Sequence, residues 1–333
     1  MKISFHITAK DYKSLFARGV LLLCLLTSPG TLLGNNSIRI LHFNGSRGFE
    51  HDSADHPLVW YHLYDGGSVL INKGLIVDLD ADSAVVTDEH KRVEKWINQA
   101  KTFPVKAFVK QDKGRKEEGS GRPLLVEHLP SLNGHNTISF NKQELVAADE
   151  DAFDHLVTGS GYTWFCVLKP GQQSGELENV NSFFGSLKNG GYYEGFWAGF
   201  NDDNSIWMGS RNGKTFGRWD ANNPNIAAKQ VLSTAQYYLV AGRMDAGTDT
   251  VNISLYVNNC TRPVATGRFP VNISANASKL AIGQERDAVE HPGRESFIGE
   301  ISRFLLYERA LTTEEMKVVG NALVDYYKLK RDR

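Results

Sequence analysis

The sequence predicts an all-β protein, an antiparallel β-sandwich closed by one C-terminal helix. Three observations carry that expectation. From residue 74 onward, short apolar or alternating runs recur between clusters of Gly, Asn and Asp, the pattern of many short strands joined by turns. Val251, Ile253, Leu255 and Val257 alternate with Asn252, Ser254 and Tyr256, which buries one face of a strand and leaves the other wet. Only the segment opening at Thr312 combines a helix start signal with helical spacing. The composition, 41% hydrophobic and 23% charged over 333 residues, is that of an ordinary globular chain and excludes general disorder. Lys+Arg 37 against Asp+Glu 38 gives no basic excess for neutralising phosphates, so no nucleic-acid partner is expected.

Residues 1–34 read as a signal peptide. Lys2, Lys10, Lys13 and Arg18 precede an apolar run from Gly19 to Leu26, with small residues and a proline following. The run falls short of the ~20 residues that span a bilayer, so the expectation is no membrane span and export to the periplasm, the cell surface or the medium. Residues 35–73 form an N-terminal extension without a legible role, apart from a strand candidate at Ile38 to Phe43. Its His42, His51, His56 and His62, with Asp52 and Asp55, are the densest group able to hold a transition metal, although their spacing fits no helix face and no standard motif.

The remaining span, 74–330, reads as one domain. Leu75 to Leu79 and Arg92 to Ile97 are strands, and the charged, Gly-rich run Lys110 to Gly121 is an exposed loop. Asn212-Gly213 predicts a tight type I′ hairpin between Ile206-Trp207-Met208 and Phe216-Gly217-Arg218-Trp219. Tyr237 to Met244 is the natural partner of the strand at 251–257. Thr312 with Glu315 is a capping box, after which Met316, Val319, Leu323 and Tyr326 share one helical face. Two cysteines remain after processing: Cys166 in an apolar run and Cys260 at a turn. In an exported protein they could pair, but a core thiol and a turn thiol need not meet.

Several pieces in order resemble the laminin-G-like, concanavalin-A-like jelly-roll family, in the form common in secreted bacterial proteins. They are Gly74 to Ala81 with Val93 to Gln99, similar to an opening strand pair; Arg122-Pro123 with Leu132 to Phe140; Tyr162-Thr163-Trp164-Phe165; Leu255-Tyr256-Val257-Asn258; Leu280-Ala281-Ile282-Gly283; and the most specific, Phe297 to Ile301 through Leu306 to Thr312. The resemblance implies the fold more than an activity. Members serve as carbohydrate-binding, adhesive or calcium-dependent recognition modules, and related folds include glucanases and lyases. Ile38 to Phe43 through Gly48 to Ser53 also resembles, for about twenty residues, the opening of trehalose-utilisation-type proteins, without the α/β domain that should follow.

The resemblance leaves two function classes to weigh, a non-catalytic recognition module for a glycan or an extracellular protein, and a glycoside hydrolase or polysaccharide lyase. For the enzyme, Glu285, Asp287 and Glu290 have the E-x-D-x-x-E spacing of laminarinase-type glucanases, but Pro292-Gly293 and Gly283 frame them as loop residues. A loop carboxylate should be exposed, and unsuited to acid catalysis. For the module, Trp197, Trp207 and Trp219 follow Tyr192, Tyr193 and Phe196. Aromatic faces stack on sugar C–H faces, while Asn201 and Asp203 could bond hydroxyls. Sandwich cores are built from aromatics too. Asp78, Asp80 and Asp82 at period 2 would share one strand face, where like charges need solvent or a hard cation such as calcium. Gly209 to Thr215 has three residues between its glycines where a phosphate loop needs four. No G-x-S-x-G or H-E-x-x-H occurs.

Overall fold

The computed structural model describes residues 71–331 apart from 150, 175–179, 189–191, 217–218 and 286–292, together with the backbone of 37–43, 46–53, 56–63 and 69–70. The expected signal segment lies outside the described residues, as do the side chains of the His42–His62 group. The chain divides into two compact units, residues 1–73 and 74–333. In the first, β1 (Ser37–Phe43), β2 (Ser46–Ser53), β3 (His56–Leu63) and β4 (Val69–Ile71) form an antiparallel meander.

The second unit runs through β5 (Leu75–Asp80), β6 (Val85–Thr87), β7 (Val93–Ile97), β8 (Ala107–Lys110), β9 (Leu124–Leu129), β10 (His135–Asn141), β11 (Leu145–Ala147), β12 (Tyr162–Pro170), β13 (Asn181–Gly185), β14 (Glu194–Phe200), β15 (Ser205–Asn212), β16 (Asn225–Val231), β17 (Tyr238–Met244), β18 (Thr250–Val257), β19 (Ala265–Pro270), β20 (Ala281–Ile282), β21 (Ile298–Tyr307) and α1 (Thr313–Tyr326). One sheet has the order β19-β18-β17-β12-β21-β10-β9, with β5 also on β21. The other has the order β16-β15-β14-β13-β20-β11-β8-β7-β6. All named pairings are antiparallel, and the predicted pairing of 238–244 with 250–257 is present. The expected opening pair is not: β5 lies on β21 and β7 between β6 and β8.

Alternation places the core between the sheets. Trp164, Cys166 and Leu168 of β12 and Phe304 and Leu306 of β21 meet Phe184, Phe196 and Phe200 from the second sheet. Trp164 is edge-on to Phe184 at 5.1 Å, and Phe184 is tilted against Phe304 at 5.1 Å, geometries that aromatic quadrupoles favour. The outer face of the first sheet is covered by α1. Both capping-box bonds form, Glu315 N to Thr312 Oγ1 at 3.2 Å and Thr312 N to Glu315 Oε2 at 2.8 Å. Met316, Val319 and Leu323 are buried, as the sequence spacing requires.

Both described cysteines are free and buried. Cys166 faces the core, whereas Cys260 sits beneath α1 at Gly320, so the sheet itself separates the two thiols. Residues 110–121 are less solvated than the sequence suggests. Arg115 pairs with fully buried Glu144, and Arg122, whose side chain is 9% exposed, meets Asp112 at 3.1 Å and Asp88 at 3.4 Å. Charge density alone marks such a loop as polar; packing against ionic partners decides that it is held down.

Candidate binding face of the second sheet

Strands β14 and β15 send Phe196, Ala198, Phe200, Ile206 and Met208 into the core. Period 2 therefore sends Trp197, Trp207 and Arg211 to the opposite face. The antiparallel register sets each against a glycine: Trp197 opposite Gly209, Trp207 opposite Gly199, Arg211 opposite Gly195. That pairing lets rings lie flat on the sheet. A Cβ on Gly199 would stand 2.8 Å from Trp207 Cζ2, and one on Gly209 would stand 2.7 Å and 2.8 Å from two ring atoms of Trp219.

On this glycine floor the rings form a layered cluster. Trp219 stacks on Trp197 at 5.0 Å with 20° between planes, and both meet Trp207 edge-on. The Arg211 guanidinium lies over Trp219, Trp197 and Tyr193 at 4.9, 5.2 and 5.3 Å, a cation–π arrangement on three rings. Tyr193 in turn stacks with Phe216 at 5.4 Å and 24°. Exposure separates the layers. Trp197 and Trp207 are each 2% exposed, but Trp219 is 45%, Phe216 59% and Tyr192 57% exposed. The solvent-facing surface of the cluster is thus Trp219 on buried Trp197 and Trp207, and Phe216 on Tyr193, with buried Arg211 between the two stacks.

Phe216 and Trp219 lie between β15 and β16 and not on a strand of the predicted hairpin; the strand that pairs with β15 is β16. A type I′ turn needs two positive φ angles, and here only Gly213, at +74°, has one. Its amide donates to Tyr193 O at 3.0 Å. Asp220 then organises the loop: its Oδ1 accepts from Thr215 Oγ1 at 3.2 Å and from the Asn222 and Asn223 amides at 2.8 and 3.0 Å. Asn223 Nδ2 closes the circuit on Thr215 O and Oγ1 at 2.9 and 2.7 Å. Desolvation opposes ionisation of Asp220, but these bonds and the Arg211 charge outweigh it and hold the carboxyl below its usual range.

The other residues singled out in the sequence lie elsewhere. Asn201 and Asp203 shape the β14–β15 turn. Asn201 Nδ2 donates to Ser205 Oγ at 2.8 Å, and Asp203 Oδ1 accepts from Ser205 N and Oγ at 2.8 and 2.6 Å. The Ser205 bonds hold the Asp203 carboxyl low. Asp78 and Asp80 do share a strand face, but the cation between them is a guanidinium. Arg303 meets Asp78 at 2.7 Å and also pairs with Asp80. Burial pushes both carboxyls up and the Arg303 charge pulls them back only in part. Asp82 turns away to His135 Nδ1 at 2.6 Å and the Asn136 amide at 2.7 Å. This donor set does not suit calcium, and no group of three His, Cys, Asp or Glu residues able to hold a metal occurs among the described residues. Glu285 is buried, 4% exposed, contrary to the loop expectation; its backbone packs directly against Gly185 of β13. Asp287 and Glu290 lie outside the described residues.

Sequence reasoning named the three tryptophans but overlooked Arg211 and Phe216. The signal was present in the outward phase of β15, where Trp207, Gly209 and Arg211 follow one another at period 2. It takes effect only once register shows which glycines stand opposite.

Two antiparallel sheets packed face to face, with one helix near the C-terminus, define the class of β-sandwich proteins. Residues 145–317 match a laminin-G family model described as the concanavalin A-like lectin/glucanases superfamily; the chain belongs to that superfamily. No curated protein sequence matches the chain. Among solved structures, the chain is similar to domain 4 of AbnA, an extracellular arabinanase from Geobacillus stearothermophilus in complex with arabinotriose, at 18% identity over 74% of this chain and 98% of that one, with a TM-score of 0.45. It is also similar to the CBM40 of a Ruminococcus gnavus IT-sialidase bound to α2,3-sialyllactose, at 15% identity over 59% and 98% with a TM-score of 0.41. A third is the SAP-like pentraxin of Limulus polyphemus, at 21% identity over 49% and 70% with a TM-score of 0.33. At these identities the likeness is one of fold.

Proposed function

We propose that the protein is a secreted, non-catalytic glycan-binding module, released after removal of residues 1–34, whose contact surface is the exposed aromatic layer of the second sheet. The observation that carries this reading is Trp219, nearly half exposed yet stacked flat on a buried tryptophan. An isolated surface ring is ordinary, but exposed Trp219 and Phe216, linked through Arg211 and Tyr193, form a patch that marks a contact site. A ring backed by a second ring is a rigid apolar plate for the C–H face of a sugar. Polar groups for hydroxyls stand beside it in Asp220 and Asn222, and membership of the superfamily fits the reading.

The test is retention on a panel of immobilised plant, algal and host glycans, comparing the protein with Trp219→Ala. Retention of at least one glycan, reduced tenfold or more in the variant, supports the proposal; tenfold is about 1.4 kcal/mol. Absence of retention on every glycan, with capture of extracellular proteins instead, turns the reading to adhesion. Release of reducing ends or unsaturated sugars from a retained glycan, lost in a Glu285→Gln, Glu290→Gln variant, would establish the enzyme alternative.

A further inference from the structure

We propose that the aromatic surface is bipartite, with Trp219 and Phe216 as two stacking platforms that take different units of one sugar chain. The ligand is then a stretch of oligo- or polysaccharide, not a single monosaccharide or a chain end. This inference rests on the glycan-binding reading and specifies the ligand class of the same surface.

Three features point to it. Each exposed ring has its own backing ring at nearly parallel orientation: Trp219 on Trp197 at 20°, Phe216 on Tyr193 at 24°. A single platform needs only one such pair. The two pairs are joined through one guanidinium, since Arg211 lies over both Trp219 and Tyr193. The platforms therefore belong to one contiguous surface, within the span of a short oligosaccharide. Finally, the neighbours of the two platforms are tied to each other, Thr215 beside Phe216 bonding to Asp220 beside Trp219 and to Asn223. Ties and ring stacks that exist before any ligand arrives lower the ordering cost of binding. Once one sugar unit sits on the first platform, a linked unit reaches the second as an intramolecular event, so affinity should climb with chain length until both are covered.

The test measures calorimetric affinity for a size series, monosaccharide to hexasaccharide, prepared from the glycan best retained in the panel. Affinity at least tenfold greater for the hexasaccharide than for the monosaccharide, with a plateau at intermediate length, is the expected result. Phe216→Ala should weaken hexasaccharide binding at least fivefold and flatten the length series, while Phe216→Trp should restore the climb. Unchanged thermal melts of these variants would confirm that the exposed position leaves the fold intact. A flat length series in the unmodified protein, or a Phe216→Ala series as steep as the original, would overturn the bipartite site while a Trp219-dependent affinity kept the glycan reading. If no member of the series binds, or binding ignores Trp219→Ala, the underlying reading falls and this inference with it.

Discussion

Replacing Arg303 by Met isolates the ionic cluster beneath α1. The guanidinium, almost fully buried, is shared by Asp78 and Asp80, whose side chains are 5% and 11% exposed. Removing one partner of a buried pair costs about 3–5 kcal/mol, because a charge is left without compensation in a poorly polarisable interior. Here two carboxylates are stranded, so the upper part of that range applies. Against a typical domain stability of about 5–15 kcal/mol, the loss is severe, and at roughly 2–4 °C per kcal/mol a loss of about 4–5 kcal/mol should lower the melting temperature by about 8–20 °C. The variant should also acquire a characteristic pH dependence. Burial already holds both carboxyls above their usual range, and Arg303 supplies the main opposing pull. Without it their folded-state pKa values move further up. A carboxyl raised in the folded state contributes stability below its unfolded pKa that is lost as pH rises through its folded pKa. The gap between variant and parent should therefore be widest near pH 8 and narrow towards pH 5. Urea denaturation followed by tryptophan fluorescence at both pH values measures it. A loss within about 0.5 kcal/mol, as for an ordinary surface change, or a gap that widens on acidification, would refute the reasoning.

Thr312→Ala removes the hydroxyl of the capping box and should cost about 1 kcal/mol in the same assay, with the core sheets unaffected. Gly209→Ala drives a methyl into the Trp219 ring, so tryptophan emission should change and glycan retention should drop while the far-ultraviolet spectrum stays β-type. Burial pushes the Cys260 thiol up to about 12 and Cys166 well above its ordinary value, so iodoacetamide at pH 8 should leave both unmodified in the folded protein and label both in urea, as mapped by peptide mass. Because Asp78 and Asp80 answer to Arg303, chelation by EDTA should leave the melting temperature and any glycan affinity unchanged; a chelator-sensitive melt would return calcium to the picture.

The carboxylate triplet at 78, 80 and 82 shows how far sequence reading reached. Period 2 placed Asp78 and Asp80 on one face correctly, and like charges there did require a cation. That the cation is a guanidinium from a strand more than 220 residues away follows only from β5 pairing with β21 in the register Asp80 to Arg303. The hairpin expected at Asn212-Gly213 failed in a similar way. A two-residue motif reports local backbone preference, but the bonds of Thr215 to Asp220 and Asn223 and the stacking of Trp219 on Trp197 outcompeted it.

By itself the sequence determined the alternation that makes the strands, the helix and its cap, the sandwich class and the pool of aromatics from which the candidate face is drawn. These are short-range consequences of side-chain period and backbone preference. Only the tertiary structure decided which tryptophans are buried and which meet solvent, which glycines make room for them, and that Arg211 binds the layers together. Those assignments depend on which strands lie side by side and in what register, and contacts between residues distant in the chain leave no periodic trace in the sequence.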